Sequence, residues 1–179
     1  MEELIDVLDS NGNKTGIIKP KSEIKKNGDF HRAISVCIVN DKQEVLMQRR
    51  SKNKKCYPNL WSIFVKGHIM AGESAIDACK REIYEELGVI VDEEELEYLY
   101  TIKEEKFVDK NYIEKIFFDT FLLIKNIEIE KIKVQKEEVE EIKYMHYEEI
   151  KKCILNGDSS LVPNKSDYER IFLLLMSAK

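Results

Sequence analysis

GHIMAGESAIDACKREIYEELGV, residues 67–89, crowds three glutamates, Glu82, Glu85 and Glu86, into five positions. Residues three and four apart share one face of a helix, so all three carboxylates point broadly the same way. Like charges at these spacings destabilise a helix by roughly 0.2–0.5 kcal/mol per pair unless something positive sits among them. The helix itself is well marked. Ser74 is placed to cap it, with Asp77 three residues on. Ile76, Cys79, Ile83 and Leu87 recur at spacings of three and four as an apolar stripe, and Gly88 supplies the left-handed residue that ends it. Two readings of the glutamates follow. One is a solvated acidic face, common in chains rich in lysine and glutamate. The other is a site for Mg²⁺, which takes a few carboxylates plus substrate phosphates. Glycines at 67 and 72 suit a loop whose backbone must approach a phosphate or a metal.

Outward from this helix the pattern is mostly strand. LIDVLDSNGNKTGIIK places two apolar runs around Asp9-Ser10-Asn11-Gly12, a hairpin signal. From Ala33 to Val39 only Ser35 interrupts the apolar residues, as expected of a strand buried on both faces. A turn at Asn40-Asp41 leads to a second strand over Glu44 to Arg49, then a polar loop broken by Pro58 and Asn59. LEYLYTIKEEKF and YIEKIFFDTFLLI read as strands joined near Asp109-Lys110-Asn111, and EEIKYMHY as another. HYEEIKKCIL and SDYERIFLLLMSA read as helices, the second capped by Ser166. The sum is one mixed α/β domain over residues 1–179, with an N-terminal hairpin over about 1–20 and helices packed on the sheet.

Composition narrows the function. With 179 residues, 43% hydrophobic and 35% charged, the chain can bury a core beneath a highly charged surface. A net charge of −5 gives no electrostatic case for binding a nucleic acid duplex. No apolar run approaches the ~20 residues of a membrane span, and the acidic N-terminus lacks a signal-peptide pattern, so a cytoplasmic protein is expected. Cys37, Cys56, Cys79 and Cys153 show no paired spacing and read as reduced, mostly buried thiols.

Gly67, five residues, Glu73, seven residues, then Arg81-Glu82-Ile83-Tyr84-Glu85-Glu86-Leu87-Gly88-Val89 matches every specified position of the Nudix box. The chain therefore resembles the Nudix hydrolase superfamily, whose fold is an α/β/α sandwich with a mixed β-sheet. The resemblance implies Glu85 and Glu86 as main Mg²⁺ ligands, with Mn²⁺ as a substitute. Glu82 is then a further ligand or the base for the attacking water, and the Gly67 carbonyl a further metal contact. Arg81 would orient Glu73 by a charge-assisted hydrogen bond. The implied reaction is attack of water on a diphosphate joined to another group, X. One more acid outside the box completes many such sites, and Glu114, Glu137, Glu138, Glu140 and Glu141 are candidates. Arg49 and Arg50 are equally placed to clamp phosphate or to form surface ion pairs. Trp61 is read as core, with base stacking as the minor alternative.

A narrower resemblance is to the isopentenyl-diphosphate isomerase branch, carried by LIDVLDSNGNKTG, FHRAISVCIVN, VLMQRRS, YPNLW and GHIMAGES. Those isomerases have a catalytic cysteine just before the Gly-His pair, where this chain has Lys66. His31 and His68 match two of their metal histidines; the third would fall near Ile24, where there is none. A hydrogen-bonded structural role is favoured for both histidines over metal binding. Isomerisation needs a proton donor and acceptor, and Lys66 is a poor replacement for a thiol. The expectation is a Mg²⁺-dependent diphosphate hydrolase, monomer or homodimer, acting on a small nucleotide-type or related substrate, with Lys66, His68 and Glu114 as further substrate contacts. An isomerase and a non-catalytic diphosphate-binding module are the alternatives.

Overall fold

The computed structural model describes residues 2–110 and 112–177. Asn111, in the turn read between the two long strands, and Ala178, read as helical, lie outside the described residues.

The elements in chain order are β1 (Leu4–Leu8), β2 (Lys14–Pro20), α1 (Lys21–Asn27), β3 (Phe30–Val39), β4 (Glu44–Arg50), β5 (Trp61–Ser62), β6 (Phe64–His68), α2 (Ala75–Leu87), β7 (Leu96–Asp109), β8 (Tyr112–Ile124), β9 (Val139–His146), α3 (Tyr147–Leu155) and α4 (Lys165–Ser177). Among the described residues, all nine strands join one mixed sheet with β3 as its hub. β3 runs parallel to β8 over its whole length and antiparallel to β6, with Ser35 opposite Lys66 and Ile34 opposite Gly67. Being paired along both edges, β3 needs apolar residues on both faces, which explains its nearly unbroken run.

Alternation along β3 builds two cores. Ile34, Val36 and Ile38 pack with Val65, Phe121 and Leu123 against Cys79, Ile83 and Leu87 of α2. Cys37 and Val39 turn the other way, joining Met47 and Leu122 beneath Tyr147, Ile150, Tyr168 and Phe172 of α3 and α4. The result is the expected α/β/α sandwich, and the stripe of α2 is its inner surface. All four cysteines are free, Cys37 and Cys79 fully buried. Among the described residues, no helix is long and apolar enough to cross a membrane.

Several local readings are refined. Ser74 caps α2 by accepting from Asp77 N at 3.1 Å, but the Asp77 carboxylate accepts from the Ser74 hydroxyl at 2.7 Å rather than from the Ser74 backbone N–H. Gly88 closes the helix at φ 68°. Ser166 is not a cap. α4 begins at Lys165, and Asn164 before it holds Asp167 through its side-chain amide and accepts Tyr168 N at its carbonyl. Three elements go beyond the sequence reading: the polar helix α1, and the short strands β5 and β6, which carry the chain from the polar loop to Gly67.

Candidate functional site

Arg81 gathers the carboxylates of the box. Its Nε and Nη2 donate to the two oxygens of Glu73 at 2.8 and 2.9 Å, a bidentate pair. Nη2 also donates to the His68 carbonyl at 2.9 Å, and Nη1 to Glu82 Oε1 at 2.6 Å, with Glu85 Oε2 at 3.4 Å. Glu73 in turn accepts Met70 N at 2.9 Å, so one guanidinium ties the loop before α2 both to the helix and to the end of β6. Burial works against the Glu73 charge, but Arg81 outweighs it and holds that carboxyl below its ordinary range.

Glu82 and Glu86 are in a different state. Glu82 lies against the Gly67 backbone, where a β-carbon would fall 1.9 Å from its Cδ. Burial pushes its carboxyl up to about 7 despite Arg81. Glu86 is only 5% exposed, and burial followed by repulsion from Glu82 pushes it up to about 8. Its partner is Gln48, whose Nε2 donates to Glu86 at 3.1 Å and to the Phe64 carbonyl at 2.8 Å. Among the described residues no cation pairs with Glu86. Glu85 is about half exposed, its side chain at 48%. Two buried carboxylates that repel one another, one lacking a positive partner, form a donor set suited to a hard divalent cation. Among the described residues, no three histidine, cysteine or acidic side chains stand close enough to chelate an ion as they are placed; Arg81 lies 2.6 Å from Glu82 and 3.4 Å from Glu85.

Beside this cluster opens a cavity of about 330 Å³ whose wall includes Gly67, Lys66 and His68 of β6. Lys54, also in the wall, is ion-paired with Glu138, whose charge helps to raise Glu86. From α1, Lys25 reaches Glu114 Oε1 at 3.2 Å and the Tyr112 hydroxyl at 2.7 Å. Lys25 and Tyr112 together overcome burial and hold Glu114 below its ordinary range. His31 and His68 stack with ring centroids 5.3 Å apart, and neither Nε2 has a hydrogen-bond partner among the described residues. Burial brings His31 down to about 4 and, with Lys21 and Lys25 nearby, drives His68 well below its ordinary value. Both rings are therefore neutral near pH 7.

Comparison with known proteins places this arrangement. The family model of the NUDIX domain matches residues 29–164. The chain belongs to the Nudix family. It is 37% identical over 177 residues to Nudix hydrolase 3 of Arabidopsis thaliana, covering 96% of this chain and 23% of that protein. It is also 37% identical over 114 residues to isopentenyl-diphosphate Delta-isomerase 1 of Photorhabdus laumondii, covering 63% of each. The chain thus spans about a quarter of the plant protein and under two thirds of the isomerase. The crystal structure of DR0079 from Deinococcus radiodurans superposes with a TM-score of 0.68 at 17% identity, covering 94% of this chain and 98% of that one, a likeness of fold. The relatives include both a Nudix hydrolase and an isopentenyl-diphosphate isomerase, so the branch is isomerase-like.

In this Nudix chain the other candidate residues divide. Arg50 lines the cavity, donating to the Cys56 carbonyl through Nε and Nη2, whereas Arg49 turns away to pair with Glu141 at 2.9 Å beside Trp61. Adjacent strand residues face opposite ways, so one sheet face cannot use both. Trp61 is half-buried against the second core and carries the Lys143 ammonium at 4.1 Å. Of the outer acids, Glu138 is the one felt at Glu86. Glu114 belongs to the cavity with Lys25, Glu141 to Arg49, and Glu137 is exposed. Glu140 lies half-buried in β9. Gln48 and Lys25 escaped the sequence reading. Each is an ordinary polar residue whose partner lies far along the chain.

Proposed function

We propose that the chain is a Mg²⁺-dependent Nudix hydrolase that cleaves the diphosphate linkage of a small diphosphate-X molecule, acting as one domain over residues 1–179. The observation that carries this reading is the buried Glu82–Glu86 pair, lacking a cation at Glu86, set beside a cavity rich in lysine. Glu86, Glu85 and the Gly67 carbonyl would hold the ion, with Glu82 as ligand or as base for the attacking water. Mg²⁺, when bound, would neutralise charge on phosphate oxygens and acidify water. Arg81 keeps Glu73, the loop and Glu82 in one geometry, and Arg50 and Lys66 line the cavity in which the substrate would sit. The test is release of phosphate or a monophosphate product from a panel of nucleoside diphosphates, nucleotide sugars and other diphosphates, with and without Mg²⁺. Glu85→Gln and Glu86→Gln should each abolish most turnover; variants as active as the parent would sink the assignment.

A second reading, isomerisation of an allylic diphosphate, draws on the similarity to the Photorhabdus isomerase and on Cys56. Lys66 replaces the expected cysteine, but the Cys56 thiol belongs to the cavity wall along with Tyr112 and Glu114. Incorporation of solvent deuterium into recovered isopentenyl diphosphate would favour this reading over hydrolysis.

A further inference from the structure

The cavity wall carries more positive charge than one scissile diphosphate, already shared with a cation, would use. Two carboxylates face it, Glu104 and Glu114, against seven lysine and arginine side chains. Four of the seven are spoken for: Lys21 by Glu3, Lys25 by Glu114, Lys54 by Glu138 and Lys55 by Asp109. The remaining three, Arg50, Lys66 and Lys106, have no carboxylate within ion-pair distance among the described residues. The charges of Glu104, Asp167 and Glu114 reach Lys66 without pairing it, so cations still outnumber acids along this concave wall, which favours an anionic guest.

The aromatic residues argue the same way. A nucleobase stacks most readily on an open ring face. Here the Lys106 ammonium lies 3.9 Å from the Tyr57 ring centre, and Lys66 lies 4.0 Å from that of Phe118. Tyr112 carries both Lys25 at 4.7 Å and Lys55 at 4.3 Å. Phe64 and Tyr168, also in the wall, stack on one another with centroids 6.3 Å apart. The rings hold ammonium groups at the cavity wall by cation–π attraction.

Resting on the hydrolase reading above, we propose that the X group itself bears phosphate: the substrate class is a compact polyphosphorylated molecule whose second anionic end is held by Arg50, Lys66 and Lys106, rather than a nucleobase or an apolar chain. About 330 Å³ suits a small phosphorylated ring or chain.

The test compares three probes at fixed Mg²⁺: 5-phosphoribosyl 1-diphosphate, whose X group is phosphorylated, UDP-glucose, and isopentenyl diphosphate. Binding is followed by calorimetry and turnover by product release. We expect the phosphorylated probe to bind at least about tenfold more tightly than the other two, with the steeper loss on raising salt. Lys106→Met should weaken that probe by about tenfold while changing the others less than twofold, and Lys66→Met should act in the same direction. Equal or tighter binding of isopentenyl diphosphate or UDP-glucose would overturn the proposal, as would a Lys106→Met effect shared by all three. Selective binding without turnover would leave the anionic pocket standing and count against hydrolysis. Turnover without selectivity would do the reverse.

Discussion

The Glu82 carboxyl lies where the side chain of residue 67 would begin: a β-carbon on Gly67 would stand 1.9 Å from Glu82 Cδ and 2.1 Å from Oε1. Glycine at this position is thus a condition of the acid's placement, not only of loop flexibility. Gly67→Ala must push Glu82 away by about an ångström or more, breaking its bond from Arg81. We expect turnover to fall by about 10²-fold, the usual scale for such a misplacement, with the circular dichroism spectrum kept. A Gly67→Ala variant with parental kcat would show that the position of Glu82 is immaterial.

The buried acids set a pH dependence whose sign can be worked out. Burial raises Glu82 and Glu86 from an ordinary 4.5 to about 7 and about 8. The folded chain therefore binds protons more tightly than the unfolded one, and metal-free stability must fall as pH rises from about 4.5 to about 8. Above that range both states are ionised and this contribution levels off. A divalent cation competes with those protons, so stabilisation by Mg²⁺ should grow across the same window. Thermal melts from pH 5 to 9, with Mg²⁺ and with chelator, check both slopes. In Glu86→Gln the metal-free slope should flatten and the Mg²⁺ effect disappear.

Arg81 joins a second carboxylate, Glu73, to the end of β6 through the His68 carbonyl. Lysine keeps the charge but cannot make the bidentate contact to Glu73 and reach Glu82 and His68 together. Arg81→Lys should cost about 2 kcal/mol of stability by denaturant titration, the scale of hydrogen bonds to charged groups. It should lower kcat more than it raises KM. A variant with full stability and unchanged kcat would mean that the guanidinium web is incidental.

How far the sequence could be read depends on the range of the interactions that decide each element. β3 was legible because pairing on both edges forces apolar residues onto both faces, and α2 because its cap, stripe and terminal glycine are all local. α1 was not: KSEIKKN has one buried residue, Ile24, and its place depends on docking against the sheet. β5 and β6 are too short to show a period and exist by pairing with β4 and β3. Within the candidate site, the Arg81–Glu73 pair spans eight positions and falls inside the motif. Lys25 and Glu114 lie 89 residues apart, and Gln48 and Glu86 lie 38 apart, so only the folded sheet brings them together. The split between Arg49 and Arg50 likewise needs strand orientation, which two consecutive arginines do not reveal.

Gln48 supplies the last prediction. Its amide bridges the Phe64 carbonyl and Glu86, orienting a carboxylate that has no other hydrogen-bond donor among the described side chains. Gln48→Leu keeps the volume and removes both bonds, leaving Glu86 more fully desolvated and pushed further toward its protonated form. Groups that orient a metal-binding carboxylate are worth about 10–100-fold in metal affinity or activity, so the Mg²⁺ concentration for half-maximal turnover should rise by about that factor. Raising the pH should recover part of the loss, because ionising Glu86 is the step made harder. Gln48→Glu, adding a third buried acid beside Glu86 and Glu82, should weaken Mg²⁺ response further at pH 7 and recover more steeply with pH. If Gln48→Leu shows a parental Mg²⁺ titration at pH 7, Glu86 is not held for metal by this amide.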